Sequence, residues 1–227
     1  MPISLLELFQ RGGPVMWPIL LASVIALAII IERLWAFYRT DIDGTRFLAG
    51  VSSAIQTRQL ELALQLCDQT PGPLSRMIKS GIAQIGKPRT QILEAMTETA
   101  SAEISSLQRY IPLLGSIGHM APLLGLLGTV TGLVRCFQTI QEKATTLNPV
   151  NPGDLAGGIW EALLTTVFGL LVAIPAYGFY NYLAHRVNTM MHDMEQTAVK
   201  FSRFLSDESP RSGSFSETES IESHAGV

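Results

Sequence analysis

The sequence predicts an all-α, multi-pass membrane protein in which three transmembrane helices connect to long helices that extend into the cytoplasm. Two observations predict this class: the composition, and three long segments without charge. Of 227 residues, 47% are hydrophobic and 15% are charged, whereas soluble domains carry about 25% charged residues. The formal net charge of -3 argues against general nucleic-acid binding. Two cysteines, and no Cys/His cluster with ligand spacing, predict neither a disulfide framework nor a metal site or cofactor.

The transmembrane helices are predicted at residues 15–38, 111–138 and 158–184. A helix needs about 20 apolar residues to cross roughly 30 Å of hydrocarbon, and the second and third segments contain 24 and 23 consecutive residues without Asp, Glu, Lys or Arg. Trp17 and Trp35 flank the first segment as interfacial anchors do. The alternatives are buried helices of a soluble protein and, for the first segment, a cleaved signal peptide, although no small-residue cleavage pattern follows it.

The basic residues predict the orientation. Nine of the sixteen Lys and Arg residues lie from Arg33 to Arg109, and four follow the third span, so the positive-inside rule predicts a periplasmic N-terminus and a cytoplasmic C-terminus. Residues after 205 are rich in serine and acidic side chains, a composition typical of disorder. The predicted aqueous parts are an external segment at 1–14, a cytoplasmic helical region at 39–110, a short periplasmic loop at 139–157, a cytoplasmic helix at 185–205 and a disordered tail at 206–227.

The cytoplasmic region shows helical periodicity, with apolar residues every three or four positions. Turn-forming residues at 71–73 and 86–88 interrupt this pattern. From Thr90 the pattern meets no breaker before Pro112, which predicts one helix that runs directly into the second span.

Small residues form stripes along the second and third spans at about 100° per residue. Small residues let another backbone approach closely, so these faces should meet protein and not lipid. Either they hold the chain's own helices together or they also contact neighbouring subunits, and we expect a homo-oligomer. The predicted packing residues are Gly118, Gly125, Gly132, Gly158, Gly169 and Ala173.

Polar residues in the spans are the candidate functional residues. An acidic residue at mid-helix costs about 2.5–3.5 kcal/mol on insertion scales, so Glu161 should face protein or water, or else favour the helix N-terminus at the interface. Thr129, Thr165 and Thr166 either bond to carbonyls of their own helix or line a wet path. His119 is a candidate polar relay, with a hydrogen bond across helices as the alternative.

Two motifs in these spans match a known pattern. The runs APLLGLLGTVTG at 121–132 and GGIWEALLTTVFGLLVAIPA at 157–176 resemble the signature of the MotA/TolQ/ExbB proton channel family. With the three-span layout, the resemblance extends over about residues 1–205. Three spans are similar to the ExbB and TolQ branch, since the flagellar stator branch has an additional span. The sequence departs from the family pattern at His119, Met120 and Trp160.

The resemblance implies a homopentamer in the bacterial inner membrane that encloses single helices of an ExbD- or TolR-like partner. That partner carries the proton-binding aspartate, and a TonB- or TolA-like protein receives the work. The family's pore threonines correspond to Thr129 and Thr166, and its glutamate to Glu161. The expected function is a proton-conducting stator subunit that energises an outer-membrane process such as TonB-dependent uptake. Tol-type envelope maintenance and a non-conducting scaffold are the alternatives, and an enzyme is not expected because no catalytic constellation is present.

Overall fold

The computed structural model describes residues 12–40, 44–145 and 152–208, and these residues form α-helices with short turns and no strand. The predicted all-α class is therefore confirmed. The helices are α1 (Met16–Thr40), α2 (Gly44–Gln56), α3 (Leu60–Gln69), α4 (Pro73–Ile82), α5 (Arg89–Gln108), α6 (Ile111–Thr145) and α7 (Pro152–Glu208).

Three stretches of helix are long and apolar enough to cross a membrane, as predicted. They lie within Met16–Tyr38, Arg89–Lys143 and Leu155–Ser206. In the most apolar window of each, only 28%, 33% and 33% of the residues are buried within the chain. Most of the apolar surface of the spans is thus left for lipid or for other protein chains.

The prediction of one uninterrupted helix from Thr90 through the second span is wrong. Helix α5 ends at Gln108, residues 109–110 form a turn, and α6 begins after it. Pro112 explains the break, because it has no N–H to donate to the Gln108 carbonyl and its ring disfavours helical geometry in the preceding turn.

The connection predicted as a loop at 139–157 is largely helical. Helix α6 continues to Thr145 and α7 begins at Pro152, while residues 146–151 lie outside the described part. The predicted helix at 185–205 is not a separate element, because α7 continues without a break to Glu208. No Gly or Pro occurs from 179 to 208 that would end it. Residues 1–11 of the predicted external segment and 209–227 of the predicted tail also lie outside the described residues.

The chain divides into two compact units. The first comprises Met1–Tyr38 and Leu107–Asn188 and contains the three predicted spans; the second comprises Arg39–Ser106 and Thr189–Val227. The core of the second unit contains fully buried Met77, Ile78 and Ile92. A surface ion pair joins Arg76 of α4 to Glu103 of α5 at 2.7 Å. The candidate functional residues all lie in the first unit.

Candidate functional site

Helices α6 and α7 run antiparallel in backbone contact. A Cβ added to Gly125 would lie 3.1 Å from the Thr166 Cα, and one added to Gly132 would lie 2.6 Å from the Gly158 carbonyl oxygen. At the other end of the contact, a Cβ on Gly118 would lie 3.1 Å from the Tyr177 Cβ. The stripe of small residues in the second span therefore packs on α7 over about four helical turns.

The small residues of α7 supply the other half of this contact. A Cβ on Gly158 would lie 2.8 Å from the Gly132 carbonyl oxygen, and one on Gly169 would lie 2.7 Å from that of Ala121. Ala173 is buried in the same unit. At least five of the six predicted packing residues thus line the contact between α6 and α7 of a single chain.

The three candidate threonines differ in where their hydroxyls donate. Thr129 donates to the Leu126 carbonyl of its own helix at 2.6 Å. Thr165 is fully buried and donates within α7, at 2.9 Å to the carbonyl of Ala162. The Thr166 hydroxyl lies between two carbonyls, 3.3 Å from that of Gly125 in α6 and 3.4 Å from that of Ala162 in its own helix. Thr129 and Thr165 therefore donate within their own helices, whereas the Thr166 hydroxyl also reaches the neighbouring span.

Glu161 is 6% exposed and faces protein. Its Oε2 accepts a hydrogen bond from Nη1 of Arg135 in α6, forming an ion pair. Its Oε1 has no hydrogen-bond partner among the described residues and contacts the backbone of Gly13 in the turn before α1. A cleft of about 570 Å³ adjoins this carboxylate, lined by Ala156, Gly157, Trp160 and Glu161.

The partners of Glu161, Arg135 and Gly13, are not among the residues predicted from the sequence. A signal for Arg135 was present, because it follows Gly132 by three residues in α6 and Glu161 follows Gly158 by three in α7. Side chains on a helix tilt toward its N-terminus, so in antiparallel helices these two side chains lean toward each other across the glycine contact.

His119 lies on the exposed side of the same helix pair. Its Nδ1 is 2.8 Å from the Gly115 carbonyl oxygen. Since a carbonyl only accepts, Nδ1 of the neutral ring carries the hydrogen and Nε2 is the proton acceptor. The ring packs edge-on against Tyr177 of α7, with centroids 5.1 Å apart and planes at 88°.

The candidate polar residues fall on two edges of the α6–α7 pair. Measured from Gly169 at about 100° per residue, Thr166 and Tyr177 turn about 60–80° to one side and Glu161 about 80° to the other. Their contacts identify the matching sides of α6, because Tyr177 touches His119 and Glu161 pairs with Arg135. We call these the threonine edge (His119, Thr129, Thr166, Tyr177) and the carboxylate edge (Arg135, Glu161, Thr165).

The described residues contain no group of three or more His, Cys, Asp or Glu side chains that could hold a metal ion. The polar groups on the two edges of the α6–α7 pair are instead hydroxyls, the Glu161 carboxylate, the Arg135 guanidinium and the His119 imidazole. Such groups bind and pass protons or pair with charges on another chain.

Three apolar spans, two of them packed through glycines and lined by sparse polar groups, are the features of a multi-pass membrane protein. The profile of the MotA/TolQ/ExbB proton channel family matches residues 69–196. The chain belongs to this family, which comprises membrane proton channels and is not a known class of enzyme.

The relatives carry the names of two branches of the family. The chain is 33% identical over 172 residues to the putative biopolymer transport protein ExbB-like 3 of Synechocystis, covering 76% of this chain and 81% of the relative. It is 30% identical over 201 residues to the biopolymer transport protein exbB1 of Vibrio cholerae, covering 86% and 85%. It is 27% identical over 208 residues to the Tol-Pal system protein TolQ of Pseudomonas aeruginosa, covering 89% and 81%.

Proposed function

We propose that this protein is the proton-conducting stator subunit of an ExbB–ExbD or TolQ–TolR type complex in the bacterial inner membrane. It would use the proton motive force to energise an outer-membrane process such as TonB-dependent uptake. The observation that carries the proposal is the threonine edge, where Thr166 bridges α7 to Gly125 of α6 and leaves an uncharged, partly exposed polar surface. The similarity to relatives named ExbB and TolQ supports the same function.

The assembly we propose is a homopentamer around single-span helices of an ExbD- or TolR-like partner, with a TonB- or TolA-like protein as the recipient of the work. None of the three predicted spans contains an aspartate, which agrees with a partner that supplies the proton-binding aspartate. The apolar surface that the chain leaves uncovered supports contacts with lipid and with neighbouring subunits. In this arrangement the N-terminus is periplasmic and the C-terminus cytoplasmic.

The wall formed by the threonine edge suits a carboxylic acid that moves between subunits. Thr129 and Thr166 donate their hydrogens to carbonyls, so their oxygen lone pairs accept a hydrogen bond from a protonated acid. No fixed cation on that edge would trap the acid. Each proton that crosses releases about 2.3 kcal/mol per 100 mV, so many steps are needed for large mechanical work.

The other candidate residues have distinct proposed roles. His119 precedes Thr129 by ten residues in α6, which places it about 15 Å nearer the beginning of that helix. Its Nε2 would receive the proton at that end of the spans. The buried Thr165 would support Glu161, since its hydroxyl also donates to the Glu161 carbonyl at 3.1 Å. Glu161 would belong to the path at the opposite end of the spans.

The decisive experiment is proton flux in proteoliposomes that contain the chain and its cognate single-span partner. Under an imposed potential we expect T166A to lower flux several-fold, up to about tenfold, while T166S retains most of it, because a hydrogen bond lost from a transition state costs about 0.5–1.5 kcal/mol. The matched control is T131A, since the Thr131 hydroxyl donates within α6 to Gly128 at 2.9 Å.

Two results would overturn the proposal. The first is a wild-type complex that assembles with its partner and carries no flux. The second is a T166A complex that conducts like the T131A control. In the first case the non-conducting scaffold becomes the better description.

Tol-type envelope maintenance is the second candidate, because the chain is also 37% identical over 114 residues to the TolQ protein of Haemophilus influenzae. Complementation separates the two processes. A host that lacks its own uptake stator and a host that lacks its own Tol stator would each receive this chain with its partner. Restored uptake supports the first process, and restored detergent resistance supports the second.

A further inference from the structure

The Glu161 carboxylate is held from two sides by groups outside its own helix. Arg135 of α6 pairs with Oε2, and Oε1 lies against the backbone of Gly13. Gly13 has a φ of +71°, a conformation that strongly favours glycine. We call these three residues the Glu161 clamp.

Gly13 leaves room for the Glu161 carboxylate, and a larger residue at position 13 would fill that space. A Cβ at this position would overlap Oε1 of Glu161, so the carboxylate occupies the volume of the missing side chain. Oε1 has no hydrogen-bond donor within the described part of the chain. Oε2 is therefore held by its ion pair with Arg135, and Oε1 by packing against the backbone of Gly13.

The two members of the ion pair differ in how freely they can move. The Glu161 side chain is 8% exposed and the Arg135 side chain 47% exposed. Arg135 can therefore leave the pair by rotating its own side chain, without movement of the backbone. Glu161 cannot leave without displacing its neighbours.

We propose that Arg135 is a positioning residue of the proton path, and that its departure from Glu161 makes the carboxylate able to accept a proton. With the clamp closed, Glu161 stays paired and on the carboxylate edge, away from Thr166. With the clamp open, the adjoining cleft at Gly157 and Trp160 gives water access to the carboxylate. This inference rests on the proposed function, because it assigns regulation to one group of the same path.

The first test measures how accessible Glu161 is. Dicyclohexylcarbodiimide converts protonated carboxyl groups into stable N-acylureas, which mass spectrometry locates and quantifies in the assembled complex. We expect R135Q to raise labelling of Glu161 about tenfold, because a buried carboxylate without its cation is held much less strongly as an anion. R135K, which keeps the charge, should label like the wild type, and E161Q gives the background.

The second test changes the clamp at Gly13, in the turn before α1. G13A should also raise Glu161 labelling, because the new Cβ displaces Oε1. The matched control is G153A in α7, because nothing lies within 4 Å of a Cβ added at that position. G13A should lower the thermal midpoint of the complex more in the wild-type background than in E161A, where the overlapping carboxylate is gone.

The third test is proton flux. R135Q should lower flux about tenfold, and R135K, which keeps the charge, should retain it. Labelling and flux in R135Q that both match the wild type overturn the clamp while the proposed function stands. A wild-type complex without flux overturns the proposed function, and with it the role of the clamp in a path, even where labelling responds to R135Q.

Discussion

Gly169 of α7 lies directly against the carbonyl oxygen of Ala121 in α6, which would be 2.7 Å from an added Cβ. The same Cβ would lie 3.2 Å from the Gly125 Cα. The Ala121 oxygen and the Gly125 Cα are backbone atoms of α6, so they cannot rotate away as a side chain could. A side chain at position 169 therefore has to push the two helices apart. The close approach of α6 and α7 therefore depends on the absence of a single methyl group.

We predict that G169A lowers the stability of the purified protein by about 1–3 kcal/mol, the usual cost of overpacking a tight contact. The matched control is G178A in the same helix, because nothing lies within 4 Å of a Cβ at that position. Thermal unfolding in detergent measures both. Equal midpoints for the two variants would contradict the packing described for α6 and α7.

Arg33 provides a second prediction. It is 6% exposed and donates from Nη1 to the Leu107 carbonyl at 2.9 Å, beside the turn between α5 and α6. Its guanidinium also lies 5.1 Å from the centroid of the Tyr110 ring. We expect R33M to destabilise the protein by about 1–3 kcal/mol, because it leaves a carbonyl and the Glu32 carboxylate without their donor.

The control for R33M is R109M. Arg109 lies 5.4 Å from the same ring centroid but is exposed, so its removal should cost less than about 1 kcal/mol. Denaturation of both variants in the same detergent supplies the comparison. If R109M lowered stability as much as R33M, the cation–π contacts with Tyr110 would contribute more to stability than the hydrogen bond from Arg33 to the Leu107 carbonyl.

Cys67 gives a prediction for the second unit. Burial, with the charge of Asp68 acting in the same direction and Lys79 opposing it, raises the pKa of its thiol to about 11. Compared with an ordinary thiol pKa of 9.0, this leaves about 100-fold less thiolate near pH 8. In a C136S background, iodoacetamide should therefore modify native Cys67 about 100-fold more slowly than the unfolded chain.

The raised pKa of Cys67 also makes the stability of the protein depend on pH. A raised pKa in the folded state favours the neutral thiol, so its contribution is present below pH 9 and lost as the pH rises from 9 to about 11. A C67A variant should show less loss of stability across this range than the wild type. Identical profiles would contradict the assignment to Cys67.

Thr165 and Thr166 are neighbours with different predicted sensitivities. Valine has nearly the shape of threonine, and the Thr165 hydroxyl is fully buried and donates only to carbonyls of its own helix. We expect T165V to conduct protons within about threefold of the wild type, since such local bonds contribute little. T166V should lose conduction as T166A does, and a silent T166V together with a silent T166A would contradict the threonine edge.

The sequence predicted the helical class and the number of spans well, and it placed the glycines that meet in the α6–α7 contact. It failed where one residue changes local geometry. Pro112 ends a helix that periodicity alone continues. The helix predicted at 185–205 is present as the uninterrupted continuation of α7 to Glu208. The loop predicted at 139–157 was too long, because loss of hydrophobicity marks the edge of a membrane and not the end of a helix.

The sequence by itself determined the spans, the small-residue faces and the family, because hydrophobic length, residue size and motif spacing are local properties of one chain segment. Only the tertiary structure decided that Glu161 pairs with Arg135 and rests on Gly13, while Thr166 lies on the other edge. These relationships depend on how far α6 and α7 are rotated and shifted against each other. The glycine contacts set that offset, since backbones in direct contact leave the helices little freedom to slide.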